Sequence, residues 1–307
     1  MNKIVVSIKC LVYNHGPYLK KCLDGFIMQK TNFRFEVIVH DDASTDNSVD
    51  IIQEYEQKYP DIIKPIYETE NLYYKNFELI SLKINEAIKG DYIAICEGDD
   101  YWTDPLKLQK EVDFLEKNPD YGMVFGKVRE FIQTKRFFGK TFGSPVLDIN
   151  KLLLSNTIPT PTVLYRYGLY MQYKKDVASS SWLLGDYPLW LYITLHSKVH
   201  FINEVFAVYR ILPESASHSS NMSTKERFIY SVFDMKLFFH NKYGLLSVEE
   251  IISQKFYTLM SCAIVYGKRD IALKYYKDIP IKNLQARIKY CICLFPPLFS
   301  LLRYRYK

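Results

Sequence analysis

No stretch of this 307-residue sequence approaches the roughly 20 consecutive apolar residues that a membrane-spanning helix requires. The start, MNKIVVSIKCLVYN, sets a short apolar run between two lysines, too short for the core of a signal peptide. No pair among the six cysteines (Cys10, Cys22, Cys96, Cys262, Cys291 and Cys293) has C-x-x-C spacing. Three of them sit inside apolar runs and read as small core hydrophobes of a reducing compartment. Neither G-x-G-x-x-G nor G-x-x-x-x-G-K-[ST] occurs, so the backbone cradles of a dinucleotide fold and of an ATP-type P-loop are absent. There is no internal repeat and no low-complexity segment. These absences lead to the expectation of a cytoplasmic globular protein.

Hydrophobic residues at 48% and charged ones at 24% suit an ordered chain long enough for one large domain with an appendage. Aromatics reach 16%, with 26 Tyr, a composition that suits flat or carbohydrate-like ligands and equally a compositional bias. The net charge of +6 is unevenly spread. Residues 268–307 hold ten Lys or Arg and two Asp, a balance of +8, which leaves −2 for the rest. The basic character belongs to the tail and speaks of the tail's partner, not of nucleic acid bound by the whole chain.

The first 130 residues alternate strand and helix signals. Strands are expected at Ile4 to Val12, Phe35 to His40, Ile62 to Tyr67 and Tyr92 to Cys96. Between them run helical stripes: Leu19, Cys22, Leu23, Phe26 and Ile27; then Val49, Ile52, Tyr55 and Tyr59; then Phe77, Ile80, Ile84 and Ala87. Leu108, Val112 and Leu115 mark a fourth helix, opened by Asp104-Pro105. Strands separated by single helices imply βαβ units, so the fold class is α/β with a mainly parallel sheet flanked by helices. Residues 132–147 read as an irregular insertion, and from Thr224 the pattern is helical almost to the end. The expected division is a domain at 1–222 and a helical extension at 223–307.

Ligands of an open parallel sheet bind outside the carboxyl ends of its strands, and here each such end is polar. Strand one runs into Tyr13-Asn14-His15, strand two into Asp41-Asp42-Ala43-Ser44, strand three into Glu70-Asn71, and strand four into Glu97-Gly98-Asp99-Asp100. Carboxylates bind phosphate only through a cation, and Mg²⁺ sits between one or two carboxylates and phosphate oxygens. A nucleoside diphosphate carried by Mg²⁺ or Mn²⁺ fits this edge. Asp104 before Pro105 reads as a helix N-cap, and His15 and His40 read as hydrogen-bonded structural residues. Trp190, in helical register with Tyr187 and Thr194, reads as core.

The ordered set T/V-Y-N, D-D-x-S-x-D and E-G-D-D-Y-W-T-D-P-x-K resembles family 2 glycosyltransferases of the GT-A fold, of the bacterial surface-polysaccharide type. The resemblance covers roughly residues 1–220, and the motifs are specific as a set although each alone is weak. It implies a nucleotide-binding set of Tyr13, Asn14, Asp41, Asp42, Glu97 and Asp99, with Asp99 and Asp100 at the metal. The first acidic position is Glu97 where the family pattern has Asp. Asp186, in Leu184-Gly185-Asp186-Tyr187-Pro188, matches the catalytic carboxylate. Tyr209-Arg210 and the following Ser215 to Ser219 match a late loop closing on the diphosphate, with His218 as the candidate metal ligand. In relatives with a short Y-R-x-H spacing the histidine comes sooner, at the place Leu212 occupies. Tyr101, Trp102 and Tyr187 are assigned to the acceptor or sugar, since aromatic rings offer a flat apolar face with a polar edge.

The activity so implied is metal-dependent, inverting transfer of a sugar from a nucleotide-sugar donor, UDP-linked by preference, to a hydroxyl of a glycan or lipid-linked acceptor. A nucleotidyltransferase shares the sheet and metal but needs a Gly-rich, Lys/Arg-bearing loop where this chain has Val-Tyr-Asn-His-Gly-Pro. A non-catalytic sugar-binding protein is the other alternative, and the joint presence of Asp99, Asp100 and Asp186 speaks against it. The segment Cys291 to Leu302 is apolar, interrupted by Pro296-Pro297 and flanked by basic residues. It suits peripheral attachment to the inner membrane surface, the rival being a helix docked on the core.

Overall fold

In β1 (Ile4–Val12), Val6, Ile8, Cys10 and Val12 face one side of the sheet and meet Leu19, Cys22, Leu23 and Phe26 of α1 (Gly16–Ile27). Pro17 lies in the first turn of α1, where its missing N–H has no helical partner to lose. β2 (Arg34–Asp41) splits in the same way. Val37 and Val39 join the α1 side, while Ile38 packs with Ile80 and Ile84 of α3 (Phe77–Ala87) on the other. Strands covered on both faces are what a parallel sheet between helical layers requires. α2 (Ser48–Lys58), β3 (Ile63–Tyr67) and β4 (Tyr92–Ile95) complete this part, with β3, β2, β1 and β4 paired parallel in that order.

The computed structural model describes residues 3–73, 75–177, 182–213 and 221–306, with side chains to residue 301. Beyond β4 come β5 (Tyr101–Trp102), α4 (Lys107–Lys117), β6 (Tyr121–Ile132), β7 (Phe137–Phe142), α5 (Ile149–Leu154) and β8 (Leu164–Arg166). α6 (Tyr167–Asp176), α7 (Tyr187–His196) and β9 (Lys198–Ile211) follow. The sheet order is β3-β2-β1-β4-β8-β6-β9-β5, with β7 on β6. β8 runs antiparallel to both β4 and β6, β9 runs parallel to β6, and β5 is antiparallel to β9. The sheet is therefore mixed, parallel through its first four strands. Residues 132–147, expected to be irregular, contain β7, which pairs antiparallel with β6. Its residues are mostly exposed, so no buried face imposed a period of two on the sequence.

The chain forms two compact units, one of Met1–Leu147, Asn156–Ala178 and Leu189–Ile211, the other of Asp148–Ser155, Ser179–Pro188 and Leu212–Lys307. The second thus includes two short excursions that a single division at residue 222 does not capture. It contains α8 (Met222–Tyr243), α9 (Val248–Val265), α10 (Arg269–Lys277), α11 (Leu284–Leu294) and α12 (Pro296–Tyr306). Gly244, at φ 67°, stops α8 in the left-handed conformation open to glycine, and a Ser247/Glu250 capping box starts α9. Lys236 Nζ and Gln254 Nε2 both donate to the Leu154 carbonyl at 2.7 Å, tying the end of α5 to α8 and α9. Pro296-Pro297 separate α11 from α12, since proline stops one helix and is tolerated at the start of the next. Among the described residues no helix is long and apolar enough to cross a membrane.

Candidate functional site

The loops after β1 and β2 are tied together by short polar side chains. Asn14 takes φ 55°, and its Oδ1 accepts the Thr45 N–H at 2.7 Å while its own N–H donates to Ser44 Oγ at 2.9 Å. Asp41 Oδ2 accepts the Ser44 N–H at 3.0 Å, and Asp41 Oδ1 is buried with no hydrogen-bond partner. Asp42 has both oxygens committed, to the N–H groups of Leu72 at 2.8 Å and Tyr73 at 2.9 Å, so it clamps the loop after β3. Asp46, the last acid of D-D-x-S-x-D, accepts from Gly16 N and Ser48 N, each at 2.9 Å. Burial pushes its carboxyl up, but the Ser48 and Gly16 hydrogen bonds outweigh burial and hold it below the ordinary range. Tyr13 is 45% exposed at this edge.

The acidic loop continues β4 along β1, with Cys96 N–H donating to the Lys9 carbonyl at 3.1 Å and Gly98 N–H to the Leu11 carbonyl at 3.0 Å. Arg210, near the end of β9, braces it. Its N–H donates to Asp100 Oδ1 at 2.7 Å, its Nε to the Asp99 carbonyl at 2.7 Å, and its Nη1 to Gln133 Oε1 at 2.9 Å. The guanidinium lies 4.8 Å from the Tyr18 ring centroid and 5.4 Å from that of Tyr101. Asp100 is buried, and burial, then the Asp99 charge, push its carboxyl well above the ordinary range against the Arg210 N–H. Asp99 Oδ1 is buried without a hydrogen-bond partner. Burial and the neighbouring Asp99 disfavour the ionised form of Asp100, and a cation beside the pair would relieve that penalty.

His15 stands at the N-cap position of α1, yet its side chain makes no capping hydrogen bond. Its Nδ1 is buried and unpartnered, and a Cβ on Gly98 would come within 2.8 Å of it. His40 holds Glu68 Oε1 with Nε2 at 3.1 Å, and its Nδ1, like that of His15, is buried without a hydrogen-bond partner.

The aromatic assignments need correction. Trp102 is only 2% exposed, donates from Nε1 to the Pro161 carbonyl at 2.7 Å, and packs edge-on against Phe26 with Lys107 Nζ 4.4 Å from its centroid. No face is left for a sugar. Tyr101 is buried, with Lys21 Nζ 4.0 Å from its ring centroid and Arg210 nearby. Tyr187 is buried and donates its hydroxyl to carbonyls of Leu152 and Leu153. All three serve packing. Trp190 is fully buried, as its register indicated.

Asp186 belongs to the second unit, at the start of α7, where its Oδ1 accepts the Tyr187 N–H at 2.7 Å. Ser215, Ser217 and His218 lie outside the described residues. The sequence reading did not foresee the bracing geometry of Arg210 or the unpartnered nitrogen of His15. The Tyr209-Arg210 pair was a signal for the first, and nothing in the sequence signals the second.

The family model described as "Glycosyl transferase family 2" matches residues 7–178, more than half of the chain. The protein Rv1520 of Mycobacterium tuberculosis is 35% identical over 219 residues, which cover 70% of this chain and 61% of that protein. The Methanocaldococcus jannaschii protein MJ1057, named as a glycosyltransferase, is 25% identical over 302 residues, or 94% of this chain and 98% of its own. Among solved structures, S. aureus TarS 1-349 in complex with UDP-GlcNAc superposes with a TM-score of 0.62 at 14% identity, covering 99% of this chain and 91% of the other. That likeness is one of fold, the GT-A arrangement of a mixed sheet flanked by helices. From the family match and the strand-end carboxylates together, the chain belongs to glycosyl transferase family 2.

Proposed function

We propose that the protein is a metal-dependent, inverting glycosyltransferase that moves a sugar from a nucleotide-sugar donor to a hydroxyl of a glycan or lipid-linked acceptor. The observation that carries this reading is the pair Asp99 and Asp100, one with an orphaned buried oxygen and the other buried among like charges. Among the described residues no group of three or more His, Cys, Asp or Glu side chains could hold a metal ion. A Mg²⁺ or Mn²⁺ that completes its shell with phosphate oxygens and water needs only one or two carboxylates, so the pair fits. Such a cation supplies Lewis-acid stabilisation of the departing nucleoside diphosphate. Tyr13, Asn14, Asp41, Asp42 and Glu97 form the nucleotide end of the site, Asn14 and Asp42 by shaping its loops. The UDP-GlcNAc held by TarS supports a UDP-linked donor. Asp186 takes the proton of the acceptor hydroxyl, which attacks the anomeric carbon from the side opposite the diphosphate. His218 is the remaining candidate ligand of the cation.

Thermal denaturation with a panel of nucleotide sugars, with and without Mn²⁺, tests the donor. A ligand that binds only the folded state raises Tm, and the rise should require the metal. Asp99→Asn and Asp100→Asn should each abolish most of the metal-dependent rise. In Asp100→Asn the side-chain amide still offers an oxygen to the Arg210 N–H, and the exchange removes a charge that burial disfavours. At neutral pH the ligand-free Asp100→Asn protein should therefore melt no lower than the wild type. Full metal-dependent stabilisation in both variants would show that the cation lies elsewhere.

The C-terminal helices attach the enzyme to an anionic membrane surface. Ala286, Cys293 and Phe299 pack with Met260, Ala263 and Ile264, so the tail is docked within its own unit. Leu284, Ile288 and Leu294 on α11, Phe295 at its C-cap, and Leu298 and Leu301 on α12 remain exposed, Leu301 at 69%. This apolar stripe coincides with the +8 segment, the pairing that interfacial helices use. Truncation would open the Phe299 packing, so substitution is the cleaner test. The triple variant Phe295→Ser, Leu298→Ser, Leu301→Ser should keep its Tm and lose binding to phosphatidylglycerol vesicles at least tenfold. Unchanged vesicle binding would remove the stripe from the membrane contact.

A further inference from the structure

We propose that the turn of the β6–β7 hairpin is a second membrane-docking element, borne by the unit that holds the sheet, and that it takes an anionic lipid surface. It is a surface other than the C-terminal stripe, and only its consequence for the acceptor rests on the sugar-transfer reading. Residues 129–140 hold Arg129, Lys135, Arg136 and Lys140 against Glu130, a balance of +3, within residues 1–267 whose sum is −2. The Glu130 side chain is only 14% exposed, whereas that of Lys140 is 75% exposed, and Arg129, Lys135 and Arg136 are exposed as well. The charge that the turn presents to solvent is therefore positive. Arg136 takes φ 53°, where glycine is at ease and arginine is strained, so the turn keeps a cation where glycine would cost less.

Among these cations stand two aromatic rings, Phe137 at 48% and Phe138 at 43% exposed. None of the six residues of β7 is buried, so the rings are not there to fill a core. The Arg129 guanidinium lies 4.5 Å from the Phe138 centroid, which presents charge and ring together. A soluble polyanion would use the cations alone. A bilayer surface uses both, since anionic headgroups meet lysine and arginine while phenylalanine enters the boundary between headgroups and acyl chains. The hairpin also leads back to the site. Phe138 packs edge-on against Phe131, 5.1 Å between centroids, and the Arg210 guanidinium lies 5.5 Å from the Phe131 centroid. Arg210 braces Asp99 and Asp100, so docking of the turn brings the acidic loop toward the surface from which a lipid-linked acceptor would emerge.

The test is cosedimentation of the full chain with phosphatidylglycerol vesicles, phosphatidylcholine vesicles serving as the uncharged control. Phe137→Ser should keep its Tm and weaken phosphatidylglycerol binding about fivefold or more. Arg136→Gly removes a cation at a position glycine accepts, which spares the fold, and should weaken binding about fivefold, the worth of one cation near the surface. Phe137→Trp should bind as tightly as the wild type and gain a blue-shifted emission component with phosphatidylglycerol vesicles. Unaltered affinity in a folded Phe137→Ser protein overturns the inference and leaves the C-terminal stripe standing. Weakening by Arg136→Gly alone marks a contact with a soluble polyanion and overturns it too. A wild type that does not bind phosphatidylglycerol vesicles overturns both membrane contacts. The donor reading is tested separately, by the metal-dependent rise in Tm, and stands or falls without these results.

Discussion

Asp186→Asn is expected to lower kcat by about 10²- to 10⁴-fold while donor affinity and Tm hold, the range typical for loss of a general base. The rival role is local. Asp186 immediately precedes α7, the position a capping residue takes, and its Oδ1 accepts the adjacent Tyr187 N–H at 2.7 Å. Asn caps a helix about as well as Asp, so a capping residue would tolerate the exchange at a cost of a few tenths of a kcal/mol at most. A base would not tolerate it, because an amide cannot take up the acceptor's proton. Stability and chemistry thus separate in one substitution. The expected kinetic signature is a fall in kcat with the donor dissociation constant unmoved, since the interaction lost exists only in the transition state. Near-normal transfer by the Asn variant would reduce Asp186 to a cap.

The parts of the fold that were legible are those in which one buried face imposes a period. Val6, Ile8, Cys10 and Val12 alternate against Leu19, Cys22, Leu23 and Phe26, and both elements run where the pattern placed them. α6 went unseen because its hydrophobic residues form no stripe, and only Tyr170 is buried. β5 is two residues long and has meaning only through its pairing with Val208 and Ala207 of β9. That pairing also helps to set which way Trp102 faces. An indole beside an acidic loop can face the ligand or the core, and the choice depends on Pro161 and Phe26, which lie far away in sequence.

The candidate site divides along the same line. Carboxylates clustered at strand ends could be recognised from local sequence, because their mutual repulsion calls for compensation. How Asp41, Asp42, Asp99 and Asp100 differ from one another could not. Asp42 is saturated by the Leu72 and Tyr73 amides, Asp100 is braced by Arg210, and Asp41 and Asp99 each keep an orphaned oxygen. Those differences arise from partners brought in by the fold from distant parts of the chain, which no local pattern of carboxylates encodes.

The floor under the acidic loop leads to the second large effect. Lys107 and Glu111 form an ion pair at 2.7 Å with both side chains fully buried. Lys107 Nζ also lies 4.4 Å from the Trp102 centroid, so the pair supports the strand that lines up with β9 and Arg210. Burial raises the Glu111 carboxyl to about 7 despite the pull of Lys107, with Asp104 adding to the rise. Between the ordinary carboxyl value of 4.5 and about 7 the folded state therefore binds more protons at this site than the unfolded chain. Its contribution to stability is largest below that window and declines as pH rises through it. Lys107→Met removes the counter-charge and strands Glu111. At pH 8 the wild-type carboxylate is ionised, and the variant must either bury it without its counter-charge or take up a proton, so the loss should be about 3–5 kcal/mol in denaturant unfolding, as for other broken buried pairs. At pH 5 Glu111 is protonated in the folded state and the loss should be clearly smaller. The double variant Lys107→Met, Glu111→Leu should recover most of the stability at pH 8, because no uncompensated charge is left. A single variant as stable as the wild type at pH 8 would mean that the buried pair holds nothing together.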